Sequence, residues 1–546
     1  MSIEMKPIPF RALLDQAWKE YRFKGTMFGV PATSIIVFRN YAPLFGKTLN
    51  SPVGPAAGPH TQLAQNLIAA YAAGGRFFEL KTVQKLWGDQ LGIQRPCIYV
   101  RDEAYNTEWS TELSPEQAAA EYIKAWIAIK ILLKEFRLGE PDAFVFNMSV
   151  GYDLEGIKSP SVDAFIETMK DASSSPVWKA CIAEAKDMIF DVVDDDYIDS
   201  ISPHISNNVT ISTMHGCPPE QIQAIAEYML REKGLHTYVK CNPTLIGYDK
   251  ARELLDNLGY TDVEFGREHF EHDMQLPDAI TMIGRLLEVA ESLDLRFGVK
   301  LTNTFPVKIT HGELPGTDMY MSGKALFPLS MHTAALLSEA FEGCLPISYS
   351  GGADIDNIDK IYSTGIYPIT VATVLLKPHG YQNLRKLVEK CANIKPDFYG
   401  IDTARVRELA ERSTADDHLR RKPRKIAAGQ TPPFACGCCT TCVDVCPNRA
   451  NYFIDGLQKK VIHLDGPCND CGNCASLCPF GFTPYADKFV LYPDVETLKQ
   501  SERDGFAITD SGYFVRYSGT LGTDTSSLPA EVIELMDAVR TMHLAT

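Results

Sequence analysis

Pro346-Ile347-Ser348-Tyr349-Ser350 is a short apolar run that ends in Gly351-Gly352-Ala353-Asp354, and a helical pattern from Ile355 to Tyr362 leads into a second run, Tyr367 to Thr373. Strand, polar turn, helix, strand is the unit of a parallel sheet, because a parallel neighbour is reached only by a crossover. The unit recurs upstream. Further candidate strands fall at Ser51 to Ala57, Phe77 to Val83, Ala143 to Val150, Asn208 to Met214, Thr237 to Cys241 and Phe297 to Thr302. Helical patterns follow them at Thr61 to Ala73, Pro115 to Phe136, Ser161 to Lys170, Pro219 to Lys233, Tyr248 to Leu258 with Asp278 to Ser292, and Lys324 to Ala340, and Tyr381 to Ala392 follows the last strand. Eight units predict an α/β fold, a TIM (β/α)8 barrel over residues 41–415. A doubly wound open sheet is the alternative. It calls for a glycine fingerprint after its first strand, and no G-x-G-x-x-G occurs.

A barrel carries its chemistry on the loops at the C-terminal ends of its strands, with a phosphate often held after the seventh and eighth. Gly351-Gly352 and Thr373 stand there, although a Gly-Gly pair also makes plain turns. Lys81 and Lys240 close the second and fifth strands. A lysine in a barrel mouth is costly unless paired with an anion, so both point to an acidic cofactor or the anionic face of a reduced flavin, with a solvated strand end as the alternative. Asn147, Asn303 and Thr304 sit at strand ends where amides and hydroxyls read the edge of a planar ring or serve buried hydrogen bonds.

The chain has 546 residues, 22% charged and 45% hydrophobic, with no run near the roughly 18 apolar residues of a membrane span. The opening residues lack a basic stretch followed by an apolar one, which predicts a cytoplasmic protein. A net charge of -16 argues against nucleic acid. Fifteen cysteines in such a chain suggest metal ligands or redox groups rather than disulfides. Nine of them fall between Cys436 and Cys478. Cys436, Cys439, Cys442 and Cys446 with Pro447 make one C-x2-C-x2-C-x3-C-P run, and Cys468, Cys471, Cys474 and Cys478 with Pro479 repeat it. This is the bacterial ferredoxin spacing for two [4Fe-4S] clusters, in which the fourth cysteine crosses over. One cluster is therefore expected on Cys436, Cys439, Cys442 and Cys478, the other on Cys468, Cys471, Cys474 and Cys446. Zinc on paired knuckles is the alternative, and Cys438 is an extra thiol.

The domains expected are an N-terminal helical extension (1–40) with an amphipathic stretch, Phe10 to Phe23, that caps the barrel bottom or makes a subunit contact; the barrel (41–415); a basic linker (416–430); a two-cluster ferredoxin-like domain (431–490); and a C-terminal docking tail (491–546).

Pro55 to Thr61, Glu79-Leu80-Lys81-Thr82, Val239 to Pro243, Asn303-Thr304 and Ser350-Gly351-Gly352 resemble the FMN barrel of dihydroorotate dehydrogenases and of dihydropyrimidine dehydrogenase, which also carries a two-cluster ferredoxin domain. Pro55 to Gln65, Gly74 to Gln84 and Asn106 to Glu112 resemble more closely the YgfK-type iron-sulfur flavoproteins, described as candidate selenate reductase subunits and linked to reductive purine metabolism. The resemblance implies FMN with Ala57 and Gly58 against the ring, Lys81 near its pyrimidine side, Lys240 at N1/O2 or the ribityl chain, and Gly323, Gly352 and Thr373 around the phosphate. Asn147 joins this cofactor set, and Asn303 and Thr304 face the substrate. Related enzymes place an acid-base Cys or Ser in an N-L-S-C-P-H-G loop after the fourth strand. Here the loop reads Thr210-Ile211-Ser212-Thr213-Met214-His215-Gly216-Cys217-Pro218-Pro219. Thr213 occupies the aligned position and is a poor proton donor, which leaves Cys217 or His215 as the acid, or a plain turn before the Pro219 helix.

The function expected is an oxidoreductase that passes electrons from two clusters to FMN and reduces a C=C or C=N bond of a pyrimidine or purine. The alternatives are an electron-transfer subunit without substrate chemistry, and a barrel that binds no flavin. Without a dinucleotide fingerprint, reducing power is expected from an FAD/NAD(P)H-binding subunit or a ferredoxin within a hetero-oligomer.

Overall fold

The computed structural model describes residues 5–32, 41–212, 215–422, 439–454, 460–542 and 544. All eight expected strands are present: β1 (Val53–Pro55), β2 (Phe77–Glu79), β3 (Val145–Gly151), β4 (Asn208–Ser212), β5 (His236–Cys241), β6 (Phe297–Leu301), β7 (Ile347–Tyr349) and β8 (Ile369–Val371). They pair in parallel in the order β1-β8-β7-β6-β5-β4-β3-β2. At the seam the Arg76 N–H donates to the Val53 carbonyl at 2.9 Å, and a Cβ on Gly54 would lie 1.7 Å from the Phe77 carbonyl oxygen. The sequence runs of these strands are mostly apolar because both faces are covered, with Asn147, Thr210 and Lys300 as buried polar exceptions; every residue of β3 is buried.

The helices match equally well where local signals are strong. The helix Pro115–Phe136 has the expected bounds: Ser114 accepts from the Gln117 N–H at 3.1 Å, Gln117 reaches back to the Ser114 N–H, and Pro115 takes the first helical position. Two insertions add a four-stranded antiparallel sheet over the barrel mouth that the strand-helix reading did not contain. Ile98–Val100 and Ala104–Asn106 come from the segment after β2, Phe305–Lys308 and Asp318–Ser322 from the segment after β6.

One expected boundary changes, and two segments flanking the barrel are docked more closely than expected. The stretch from Phe10 is a helix, Phe10–Lys24, but it does more than cap the barrel: Phe10, Leu13, Leu14 and Ala17 are buried, and Gln16 Nε2 donates to Tyr452 Oη at 2.9 Å. It thereby ties the barrel to the C-terminal region. The basic stretch is docked where described: Arg421 pairs with Glu103 at 2.8 Å and with Asp262, and the Lys422 N–H donates to Asp102 at 2.9 Å. Residue 490 is no domain boundary. Lys460–Leu464 pairs in parallel with Val490–Tyr492, which pairs with Gly505–Thr509 inside one six-stranded sheet. The helix Ala530–Met542 buries Val532, Leu535, Met536 and Val539 against that sheet's core of Tyr452, Ile462, Phe489 and Phe506. The expected tail is therefore part of a folding unit. Among the described residues no helix is long and apolar enough to cross a membrane.

Candidate functional site

A cavity of about 500 Å³ lies at the C-terminal ends of the barrel strands, walled on one side by the inserted sheet. That volume is within the range of ligand and cofactor sites. Ala57, Gly58, Lys81, Lys240, Asn303, Thr304, Gly323, Gly352, Thr373 and His215 all line it. Asn147 does not: it lies within the barrel on β3, where its Nδ2 donates to Thr210 Oγ1 at 2.7 Å. Cys217 lines a separate small pocket with Asp273 and Asn242. Thr213, Cys436 and Cys438 fall outside the described residues.

The lysines are paired within the chain, which corrects the inference that their burial demands an acidic ligand. Lys81 lies 3.0 Å from Glu108, and both side chains are buried. Lys240 lies 3.1 Å and Lys300 2.9 Å from Glu79. Burial alone would raise the Glu79 carboxyl, but the two ammonium groups outweigh it and bring it down to about 2. Two cations share one carboxylate, so the trio keeps a net positive charge at the cavity floor, which suits an electron-rich or anionic ring edge. The buried Gln84 Oε1 has no hydrogen-bond partner and its side chain lines the cavity, leaving an acceptor free for a ligand N–H.

Opposite, three loops converge in a backbone cradle. Gly352 has φ 76°, and a Cβ there would lie 2.6 Å from the Phe327 nitrogen; Gly323 has φ 88°, and a Cβ there would lie 2.8 Å from Thr373 Cγ2. Ser322 Oγ and Thr373 Oγ1 are 2.8 Å apart beside them. Hydroxyls, glycine N–H groups and the start of the helix Phe327–Ala340 form a donor set suited to phosphate. The cradle and the acceptor at the far end fit FMN.

The loop after β4 presents a histidine rather than a thiol. His215 Nδ1 lies 2.7 Å from Asp273 Oδ2, and its Nε2 lies 3.4 Å from the Thr304 carbonyl oxygen. The Cys217 thiol, pushed up to about 11 by burial and the nearby Asp153 and Asp273, donates to Gln221 Oε1 at 3.3 Å.

A second, smaller pocket brings together Cys446, Cys468, Cys471 and Cys474. Burial raises all four thiols, Cys471 to about 12. Four cysteine sulfurs facing one space are a donor set for an iron-sulfur cluster. Of the other expected ligand set, Cys439 is exposed, and Cys442 and Cys478 are half-buried. The two sites share a wall. The Cys97 and Ile98 N–H groups donate to the Cys471 carbonyl at 3.0 and 2.8 Å, and Ile98 lines the cavity. Leu376 also lines the cavity, and its carbonyl accepts from Asn473 Nδ2 at 3.0 Å. Around them runs a buried polar chain: Lys81 pairs with Glu108, Glu108 accepts from the Cys97 thiol, Cys97 accepts from Arg95, and Arg95 pairs with Glu112, which accepts from Asn469 Nδ2 at 3.0 Å.

Sequence reasoning missed Glu79 and Glu108 as counter-ions, Asp273 as the partner of His215, and Trp109 at the cavity wall. Glu108 and Trp109 lie in the stretch Asn106 to Glu112, whose density of polar residues beside one tryptophan was the available signal.

Residues 28–421 match the family described as oxidoreductase YgfK, N-terminal TIM-barrel domain. Curated relatives in two strains of Escherichia coli, named as the candidate oxidoreductase YgfK, are 44% identical over 468 residues, which takes in 81% of this chain and 45% of theirs. The chain thus spans about half the length of the curated relatives it matches. Among solved structures, DHODH from Eimeria tenella in complex with ferulenol is similar with a TM-score of 0.40 and 15% identity, covering 71% of this chain and 91% of that one.

Proposed function

Because the chain belongs to the YgfK family of oxidoreductases, we propose that it is an iron-sulfur flavoprotein that reduces a C=C or C=N bond of a pyrimidine or purine. The barrel cavity holds FMN, with the ring between Ala57-Gly58 and the Glu79-Lys240-Lys300 trio and the phosphate in the cradle of Gly323, Gly352 and Thr373. The cysteine runs hold two [4Fe-4S] clusters, one on Cys468, Cys471, Cys474 and Cys446, the other on Cys436, Cys439, Cys442 and Cys478. When bound, the clusters supply single electrons and the flavin a hydride. The chain's own residues then orient the substrate through Asn303 and Thr304, hold the charge of the ring edge, and deliver a proton from the loop after β4.

The observation that carries this reading is the shared wall. Ile98 lines the cavity and its N–H donates to the Cys471 carbonyl, so a cysteine loop and the cavity are one residue apart. The partly exposed first run suits entry of electrons from a partner, an FAD/NAD(P)H-binding subunit or a ferredoxin, in a cytoplasmic hetero-complex. That the relatives are about twice as long leaves room for such a module in the same chain elsewhere in the family.

The test is anoxic purification followed by visible and EPR spectra, then dithionite-driven turnover over a purine and pyrimidine panel. Flavin and cluster signals with turnover of a heterocycle support the reading. Both signals with no turnover leave an electron-transfer subunit, and a spectrum without flavin removes the FMN barrel.

A further inference from the structure

Asp273 is buried and accepts four hydrogen bonds: from His215 Nδ1 at 2.7 Å, Thr244 Oγ1 at 2.6 Å, Asn242 Nδ2 at 3.1 Å and the Gly216 N–H at 2.5 Å. A carboxylate with this many donors is fixed in place and kept ionised. Two of its partners flank the histidine in the chain or across the loop, so the carboxylate locks both the ring and the backbone that carries it. The ring lines the cavity beside Asn303 and Thr304, with Tyr320 stacked at 6.3 Å and His269 edge-on at 6.3 Å. Its Nε2 faces a carbonyl at 3.4 Å, a long contact that a substrate atom can displace.

We propose that His215 and Asp273 are the proton-delivering pair of the cavity, His215 as the catalytic residue that gives a proton from Nε2 and Asp273 as the positioning residue that holds Nδ1–H. This rests on the heterocycle-reduction reading above. As one atom of the substrate double bond takes a hydride from a bound dihydroflavin, the π electrons form a bond from the other atom to the Nε2 proton of the His215 imidazolium, the Nε2–H bond breaks, and the ring is left neutral with its remaining proton on Nδ1. Two hydrogens are added, the flavin is oxidised, and the neutral imidazole regains its proton from water at the cavity mouth. The pair takes the place of the cysteine or serine of related barrels. Cys217 is excluded from the cavity and its thiol is committed to Gln221.

The experiment has two arms. In the first, holoenzyme is reduced with dithionite and mixed with a heterocycle, and flavin absorbance follows reoxidation. His215→Gln should slow reoxidation by roughly 100- to 10,000-fold while reduction by dithionite is unchanged; reoxidation at the wild-type rate overturns the proposal. The second arm needs no substrate: ¹⁵N NMR of histidine-labelled protein should show the neutral His215 ring protonated at Nδ1, and Asp273→Asn should abolish that preference. An unchanged tautomer in Asp273→Asn overturns the pair. If Asp273→Asn does not fold, the ring of wild-type His215 still decides: a neutral Nε2–H tautomer contradicts the assignment. If no heterocycle reoxidises even the wild type, the reduction reading fails and the NMR arm alone judges the geometry.

Discussion

The cavity and the cysteine pocket share a wall yet balance their charge in opposite ways. Around the cavity, lysines are matched by carboxylates of the same chain: Lys81 by Glu108, Lys240 and Lys300 by Glu79. Around Cys446, Cys468, Cys471 and Cys474 the buried groups are thiols that burial keeps protonated. A site whose buried lysines already have carboxylate partners, even with two of them sharing one, is organised before a ligand arrives. A site of four protonated thiols is finished only when a metal takes the place of the protons. The barrel should therefore hold its shape without its cofactor, and the C-terminal unit should not.

The largest effect expected breaks that contrast directly. Removing iron with a chelator, or making Cys474→Ser, should unfold the C-terminal sheet while the barrel stays folded, so that limited proteolysis trims residues beyond about the basic stretch and leaves a barrel fragment. Equal protease resistance with and without iron would show that the sheet's own core of Phe489, Phe506 and Met536 suffices.

The next effect belongs to the barrel. Glu79→Gln leaves Lys240 and Lys300 without their carboxylate and should cost about 3–5 kcal/mol, read from denaturant unfolding at pH 7. The sign with pH follows from a folded value of about 2 against an ordinary 4.5: the carboxylate's stabilisation is fully present above 4.5 and is lost as the pH falls towards 2. Wild type should lose stability across that window more steeply than Glu79→Gln. Parallel curves would mean that the trio does not hold the cavity floor together.

What was legible in the sequence follows the same division. The eight strands were legible because parallel strands covered on both faces read as apolar runs, and the helix Pro115–Phe136 because Ser114, Pro115 and Gln117 write its start locally. The residues that line the cavity were reachable because they stand at strand ends. Their partners were not: Asp273 lies 58 residues beyond His215, and Glu108 lies 27 beyond Lys81, just past the short inserted strand Ala104–Asn106 that no barrel unit announces. Hence two buried lysines read as a demand for an anionic ligand when the chain itself supplies the anions. The inserted sheet was missed because its strands are three to five residues long and lie where a barrel has loops. The C-terminal strands were missed because six strands of mixed direction, interrupted by the second cysteine run, carry no repeating unit.

A smaller effect sharpens the contrast at the cradle. Gly352→Ala places a Cβ 2.6 Å from the Phe327 nitrogen at a backbone φ of 76°, so a side chain there is strained and fills the space a phosphate would use. We expect stability to fall by about 1–3 kcal/mol and FMN retention on gel filtration to fall by a much larger factor than the melting temperature suggests. Loss of stability with full flavin retention would move the phosphate elsewhere.

The smallest effect concerns a thiol that belongs to neither site. Cys217 sits one pocket away from the cavity, and its thiol donates to Gln221. Its ordinary value is raised to about 11, chiefly by burial, then by Asp153 and Asp273. Little thiolate therefore exists near neutral pH, and alkylation by iodoacetamide should speed up about tenfold per pH unit until the pH approaches that value. A change to serine should alter heterocycle reduction less than about twofold, since small changes away from reacting atoms leave the transition state untouched. If Cys217→Ser instead removes activity as fully as His215→Gln, the proton must pass through both groups, and the line between the cavity and its neighbouring pocket has to be redrawn through Asp273, which lines that pocket and bonds the histidine of the cavity.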